Sequence, residues 1–191
     1  MREEFRPTHY YRWLYKHRRR LLEFNCKSIS EWEEWRRGLR RKLVELLGGL
    51  DYPRSSLSPK VIGEYEGREY KMMRIEFRSD RFTVIPAFLL KPKGDGERAA
   101  ILALHGHGYG KSEIVGLDET GKPRSEGEGY QKDFALALAK KGFVVLVIDQ
   151  AGFGERREEE DARKGAGQSS CWQLATWALL YGETVIGFQL T

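Results

Sequence analysis

Cysteine is scarce in this chain, and long apolar runs are missing. Only two of the 191 residues are cysteines, Cys26 and Cys171, which are too few for a disulfide framework and lack the CxxC spacing of zinc or redox sites. Two buried free thiols in a reducing cytoplasm are therefore expected. The longest apolar stretch, residues 171–190, is interrupted by glycines and polar residues, so no membrane span is predicted. The first residues are charged and have no apolar core, which predicts no secretory signal.

The composition is that of an ordered and highly charged protein. Apolar residues make up 40% of the chain, aromatic residues 12% and charged residues 32%, which excludes disorder as the main state. The net charge of +5 is unevenly distributed, because residues 1–50 carry 13 Lys and Arg against 7 Asp and Glu, and the remainder carries 20 against 21. Glutamates interleave with the N-terminal arginines, so a solvated helical surface is expected there and nucleic acid is not an expected partner.

Apolar residues recur at helical spacing through residues 8–49. Ser30, with a glutamate three residues later, predicts the N-cap of a second helix, and Gly48-Gly49 predicts its end. We therefore define residues 1–50 as a basic helical lead-in and residues 60–191 as a separate core.

The first part of the core has a residue pattern typical of β-strands. Residues 61–77 and 82–91 are rich in alternating apolar residues, and the proline at position 86 favours an antiparallel pair at a sheet edge. An apolar run at 98–104, a helix at 129–141 and an apolar strand at 143–148 are predicted next. A last helix from about residue 170 is apolar all round, which predicts burial. This order of elements predicts an α/β sheet whose first strands form an antiparallel hairpin.

The glycine-rich stretch 105–112 follows a predicted strand and allows two functional interpretations beside that of an ordinary loop. Gly110-Lys111-Ser112 fits the end of a phosphate-binding loop, but His105 stands where the leading glycine is required, and no helix-like sequence follows. The alternative is an oxyanion loop, in which glycines let backbone N–H groups approach a developing negative charge.

Two segments carry a resemblance to a known family. Leu-His-Gly-His-Gly at 104–108 and Val-Leu-Val-Ile-Asp-Gln-Ala-Gly-Phe-Gly-Glu-Arg at 145–156 resemble the α/β-hydrolases of the dienelactone hydrolase and acetyl xylan esterase branch. The segments at 30–37 and 171–190 are also similar to those of its large members. The resemblance covers about residues 10–191 and implies the N-terminal half of an α/β-hydrolase, which is a partial sheet preceded by a helical segment.

The resemblance implies hydrolysis of a carboxylic ester, of the small or acetyl type, through an acyl-serine intermediate and without a cofactor. The backbone N–H of His107 is then the implied oxyanion donor. The other implied residues form the cleft: His105, Gly106, Gly108, Asp149, Gly152 and Gly154. His105 and His107 flank one glycine, but no third ligand is indicated, so no metal site is expected.

One departure from the family is severe. Its members place the nucleophile in a Gly-x-Ser-x-Gly elbow, and this sequence contains no such motif. Ser169 and Ser170 lie before a predicted helix and not on a strand-to-helix turn, and Cys171 has no visible His/Asp arrangement. The chain alone is therefore expected to be inactive. The alternatives are half of a split or truncated hydrolase that needs a second chain or a homo-oligomer, and a non-enzymatic binding module that uses the basic helices.

Overall fold

The computed structural model describes residues 2–50 and 55–190. They divide into two units, Met1–Leu46 and Leu47–Thr191, so the division falls four residues before the boundary predicted at residue 50. In the first unit, a short 3₁₀ turn at Glu3–Phe5 precedes two helices. These are α1 (Pro7–His17) and α2 (Ile29–Leu46).

The second helix begins earlier than its predicted cap. The N–H of Glu31 donates to Ser28 Oγ at 3.2 Å, and the Glu31 carboxylate accepts from Lys27 N–H at 2.7 Å. Ser28 is therefore the N-cap, and the prediction of Ser30 was wrong. Both serines have a glutamate three residues later, so the spacing rule alone does not separate them.

Five strands of the second unit form one mixed sheet. Its order is β1-β2-β3-β5-β4, as expected for an antiparallel hairpin followed by parallel pairing. The β1–β2, β2–β3 and β3–β5 pairs are antiparallel, and β4–β5 is parallel. The strands are β1 (Lys60–Glu66), β2 (Tyr70–Arg78), β3 (Val84–Pro92), β4 (Ala100–Leu104) and β5 (Val144–Ile148).

The proline at position 86 does not mark a sheet edge. Strand β3 lies between β2 and β5, which corrects the expectation of an edge strand. Pairing of β3 with β5 runs only from Ala87 to Leu90, so Pro86 lies one residue outside it. Its carbonyl still accepts from Asp149 N–H at 3.2 Å. The missing N–H of proline is tolerated because Pro86 lies beyond the residues of β3 that pair with β5.

The core of this unit packs against one short helix, α3 (Phe134–Lys140). The helix begins later than predicted because Lys132 and Asp133 have φ values of 55° and 50°, outside the helical region. Buried apolar side chains from the strands, from α3 and from the segment at 114–117 form a single cluster. The fully buried members include Leu90, Ile114, Val145 and Val147.

Three further helices follow the sheet, and the last two lie where one buried helix was predicted. They are α4 (Glu159–Arg163), α5 (Cys171–Leu180) and α6 (Val185–Gln189). Gly182, with φ of +74°, separates the last two. Helix α5 has no buried residue, and Trp172 is 86% exposed, so the expectation of burial was wrong.

No helix in the described part of the chain is both long and apolar enough to cross a membrane. Cys26 and Cys171 are unpaired, and both are half-buried where full burial was expected.

Candidate functional site

The parallel pairing of β4 with β5 creates the candidate site. Leu104 lies beside Ile148 in the ladder, so the residues that follow the two strands meet at one sheet edge. The ring of His105 is 3% exposed, and its Nε2 accepts the backbone N–H of Gln150 at 3.1 Å. The Gln150 side-chain amide donates to the His105 carbonyl. Two hydrogen bonds, both donated by Gln150, thus join the two strand ends.

The protonation state of His105 follows from these contacts. Because Nε2 accepts a hydrogen bond, Nδ1 carries the proton and donates to the Gly106 carbonyl at 2.7 Å. Burial lowers the pKa of His105, against opposing effects of the Gly106 hydrogen bond and the Asp149 charge. The ring is neutral and both nitrogens are engaged, so His105 has no free lone pair with which to act as a base.

The backbone of Gly106 and His107 is held at three of its four polar groups. The Gly106 N–H donates to Gln131 Oε1 at 2.7 Å, and the Gly106 carbonyl accepts from His105. The His107 carbonyl accepts from the Tyr130 hydroxyl. Among the described residues, the His107 N–H makes no hydrogen bond. The Gly106–His107 segment therefore presents one unpaired amide at the carboxyl end of β4.

Both histidine rings contact the same aromatic side chain. Phe153 lies edge-on to His105, with ring centroids 5.3 Å apart, and to His107, at 5.2 Å. Phe153 is buried, whereas His107 is exposed. Edge-on contacts of this kind limit the movement of the His107 ring. The turn after β5 therefore supports the loop after β4.

The side chain of Asp149 is the centre of a buried ion cluster. Asp149 is fully buried and accepts three hydrogen bonds, from Lys111 N–H at 2.7 Å, Lys111 Nζ at 2.6 Å and Glu155 N–H at 3.0 Å. Lys111 is 2% exposed and also donates to Glu155, which Arg74 contacts at 2.5 Å. Buried charges are tolerated when they are paired and hydrogen-bonded in this way.

The charge partners of Glu155 dominate its ionisation. Burial alone raises the pKa of this carboxyl group, but the hydrogen bond and charge of Lys111, together with Arg74, outweigh burial and lower it. Glu155 therefore stays ionised. Asp149, Lys111, Glu155 and Arg74 form a row of side chains whose charges alternate in sign.

This cluster argues against one of the two functional interpretations of the glycine-rich stretch, the phosphate-binding loop. The ammonium group of Lys111 is buried between two carboxylates, so it is not available to a phosphate. The segment Gly110–Ile114 forms only a 3₁₀ helix, whereas a phosphate-binding loop opens a longer α-helix. The geometry does not fit a phosphate loop.

Two glycines are required by the position of the Asp149 carboxylate. A Cβ atom at Gly110 would lie 2.3 Å from Asp149 Oδ1, and one at Gly154 would lie 2.2 Å from the same atom. Both residues also have positive φ, +87° and +53°. Gly152, with φ of +82°, faces Leu174 and the backbone of Cys171. Gly110 and Gly154 thus leave space for the buried Asp149 carboxylate, and Gly152 leaves space for the start of α5.

The described residues contain no complete nucleophilic arrangement. Ser170 is 1% exposed, and its Oγ accepts from Glu158 N–H at 2.8 Å, so it ties two loops together. Ser169 and Cys171 are half-buried. No group of three or more His, Cys, Asp or Glu side chains in the described ranges is placed to hold a metal ion.

Sequence reasoning missed four residues that shape the loop. Gln131 and Tyr130 hold its backbone, Gln150 holds His105, and Glu155 completes the ion cluster. The partners lie 23 to 45 residues apart along the chain. No local spacing pattern identifies such pairs. Only the glycine-rich stretch itself was a usable signal.

A cavity of about 870 Å³ lies apart from this loop. Side chains of β1 and β2 and residues of the segment 112–126 form its walls, and Met72, Phe88 and Leu136 are among its apolar members. None of residues 105–110 lines it. The cavity is therefore a separate feature from the unpaired amide of His107.

A glycine-rich loop that follows a parallel strand of a mixed sheet and presents a free backbone N–H is an arrangement of the α/β-hydrolase class. One solved structure has this fold over nearly the whole chain. It is a Bacteroides fragilis protein described as an acetyl xylan esterase, which superposes with a TM-score of 0.76 at 19% identity. The match covers 99% of this chain and 49% of that protein.

The sequence matches the Abhydrolase family over residues 11–180, and the chain belongs to this family. It is also 32% identical over 130 residues to YtaP of Bacillus subtilis (strain 168), which is described as a hydrolase. That match covers 64% of this chain and 40% of YtaP. The chain therefore spans about half the length, or less, of the relatives that it matches, and it resembles their N-terminal portion.

Proposed function

We propose that the chain supplies the oxyanion side of a carboxylic-ester hydrolase that acts on small or acetyl esters through an acyl-serine intermediate. One observation carries this proposal: His107 N–H is unpaired, while the other polar groups of the Gly106–His107 backbone are engaged. The name of the structural neighbour, an acetyl xylan esterase, suggests acetylated sugars as the substrate class.

The mechanism assigns one task to each part of the loop. A serine hydroxyl of a completing segment attacks the acyl carbon, a base of that segment takes its proton and later gives it to the leaving alcohol, and the carbonyl oxygen becomes negatively charged. His107 N–H donates to that oxygen, which in comparable sites contributes about 2.7–4 kcal/mol of transition-state stabilisation per donor. Collapse of the intermediate expels the alcohol, and water then releases the acid in a second addition. The neutral His105 holds the donor in place and moves no proton.

We propose further that this chain alone does not turn over esters. Ser170 is buried and bonded to backbone, and His105 has no free lone pair, so the described residues offer no nucleophile with a base. The test is hydrolysis of 4-nitrophenyl acetate by the pure chain, compared with the same chain carrying Ser169→Ala and Ser170→Ala. Both are expected to match the buffer rate. Repeated turnover that survives both substitutions would contradict the proposal.

A second chain is the proposed partner, and the far side of β4 is its docking surface. Within the described ranges, β4 pairs only with β5, and Leu102 and Leu104 are 56% and 50% exposed. Neither β4 nor α5 contains a charged residue, although 32% of the chain is charged. An uncharged strand with an unpaired edge is a site for strand addition.

The docking surface is tested by Leu102→Lys and Leu104→Lys. The native mass of the protein from its source is measured first. We expect a second chain carrying a Gly-x-Ser-x-Gly elbow, and both lysine variants are expected to release it. The matched variant Val61→Lys, on β1 at the other side of the sheet, is expected to retain it. A lone chain of 22.1 kDa would contradict the split enzyme. A homo-oligomer would show that another copy of this chain, and not a second half, is the partner.

A binding role for the basic helices is a second candidate, favoured by the exposure of α1. Tyr10, Tyr11, Trp13 and Tyr15 are each more than half exposed, and three consecutive arginines follow at 18–20. Aromatic and basic side chains of this kind bind single-stranded nucleic acid. Anisotropy of a labelled DNA oligonucleotide measures it, and affinity must fall steeply with added salt. Binding that is absent at low salt would exclude this role.

A further inference from the structure

The loop after β4 is held by two consecutive residues that precede α3. Gln131 Oε1 accepts the Gly106 N–H at 2.7 Å, and the Tyr130 hydroxyl donates to the His107 carbonyl. The packing is close, since a Cβ atom at Gly106 would lie 3.1 Å from the Tyr130 hydroxyl and 3.4 Å from Gln131 Oε1. One dipeptide thus reaches both ends of the Gly106–His107 segment.

The orientation of the Gln131 amide is fixed by the loop. Its oxygen must face the Gly106 N–H, because the reversed amide would place two donors against each other. In this orientation Gln131 Nε2 is buried and finds no partner among the described residues. A buried donor without a partner is destabilising. Gln131 therefore accepts from Gly106 while its own Nε2 stays unpaired.

The direction of the His107 N–H is fixed by the peptide to which it belongs. The carbonyl of that peptide, Gly106 C=O, accepts from His105 Nδ1 at 2.7 Å. In a planar trans peptide the N–H points opposite to the C=O, so the His107 N–H points away from the His105 ring. Gln131 removes the preceding amide from competition, and Tyr130 holds the following carbonyl.

We propose that Gln131 is a positioning residue that selects the His107 N–H over the Gly106 N–H as oxyanion donor, with Tyr130 as its companion. The proposal rests on the proposed function of the loop. Gln131 touches no reacting atom, since its oxygen acts on Gly106. Without it the Gly106 amide loses its acceptor and competes with the His107 amide, and the peptide between them is held only by its contacts with His105 and Tyr130.

The experiment uses ¹⁵N-labelled full chain with acetate as the anionic probe and chloride at equal ionic strength as its control. Amide exchange at Gly106 reports the Gln131 contact, and the acetate-induced shift of the His107 amide reports the donor. The variants are Gln131→Ala, which removes the acceptor, and Gln131→Glu, which keeps one. Gln168→Ala is the matched control, because that side chain is exposed. Far-UV circular dichroism confirms that each variant is folded.

In Gln131→Ala, exchange at Gly106 is expected to accelerate about tenfold, and acetate affinity at His107 to fall about tenfold. Gln131→Glu is expected to restore slow exchange at Gly106, and Gln168→Ala to change neither readout. If acetate shifts the His107 amide equally in the parent and in Gln131→Ala, the positioning role is wrong while the donor stands. If acetate does not shift it in the parent chain, the donor role itself is wrong, and the positioning role fails with it.

Discussion

The ion pairs of the two units differ in exposure and in the sequence distance that they span. In Met1–Leu46, the partners of the pairs Arg20–Glu23 and Lys42–Glu45 are three residues apart along the chain, with side chains 42–63% exposed. In Leu47–Thr191, the Lys111–Asp149 pair joins residues 38 positions apart, and its side chains are at most 3% exposed. Exposed pairs contribute little to stability, whereas a buried pair that loses one partner leaves an uncompensated charge. The same residue types therefore contribute differently to the stability of the two units.

A second buried cluster in the same unit strengthens the contrast. Arg124 is bonded to Asp133 and to the carbonyls of Glu113 and Leu117, the last two at 2.7 and 2.6 Å. It also contacts Tyr109, where burial and the charge of Glu113 raise the pKa to about 12. The loop segments between β4 and α3 are thus held by charge and hydrogen bonds, with few residues of regular structure.

The largest expected effect breaks the buried pair. Lys111→Met leaves the Asp149 carboxylate buried without its cation and is expected to lower the free energy of unfolding by about 3–5 kcal/mol. Lys42→Met, which removes the exposed pair of α2, is expected to change it by about 0.5 kcal/mol or less. Urea unfolding followed by circular dichroism measures both. Equal losses would show that burial does not separate the two kinds of pair.

The next effect tests the fit of the glycine loop around that carboxylate. Gly110→Ala places a Cβ atom 2.3 Å from Asp149 Oδ1, whereas nothing lies within 4 Å of a Cβ at Gly121. The two residues have nearly equal φ, +87° and +82°, so backbone strain is shared. Gly110→Ala is expected to cost about 1–3 kcal/mol more than Gly121→Ala. Thermal unfolding of the two variants provides the comparison, and matching values would refute the close fit.

A pH effect follows from the buried ring of His105. Burial lowers its pKa, so below the unfolded value of 6.5 the unfolded chain binds a proton that the folded chain does not. The free energy of unfolding should therefore fall as pH falls from 7.5 to 5.5, by at most about 1.4 kcal/mol per pH unit for this one proton. Glu155 titrates below this window, because its pKa is lowered from 4.5.

His105→Gln provides the control for this pH effect, since glutamine does not titrate. Urea midpoints across the same pH range should lose the slope in that variant, whatever its overall stability. A slope that persists unchanged would assign the proton to another group and leave His105 without a part in the pH dependence.

The smallest expected effect belongs to the N-terminal unit. Ser28 caps α2, and Ser30 lies inside it. Ser28→Ala is expected to cost about 1 kcal/mol of helix stability, while Ser30→Ala should cost a few tenths at most. The helical signal of each variant on heating measures the difference. If Ser30→Ala were the more costly, the cap would lie where spacing alone had placed it.

Much of the fold was predictable because its signals are local. The apolar runs at 82–91, 98–104 and 143–148 predicted β3, β4 and β5, and helical spacing predicted α1 and α2. The single run predicted at 61–77 forms two strands, β1 and β2. The late start of α3 was not predictable, since the left-handed φ values of Lys132 and Asp133 accompany a buried ion pair with Arg124. The exposure of α5 was also missed, because an apolar helix is exposed or covered according to what packs on it.

The sequence by itself determined that a glycine-rich loop follows a strand of an α/β sheet, and its motifs indicated the hydrolase family. Those properties follow from spacing between near neighbours, which the chain carries before it folds. Only the tertiary structure decided that Lys111 is held by carboxylates and that His107 keeps an unpaired amide. Those choices depend on the parallel pairing of β4 with β5, which brings residues up to 45 positions apart into hydrogen-bond contact.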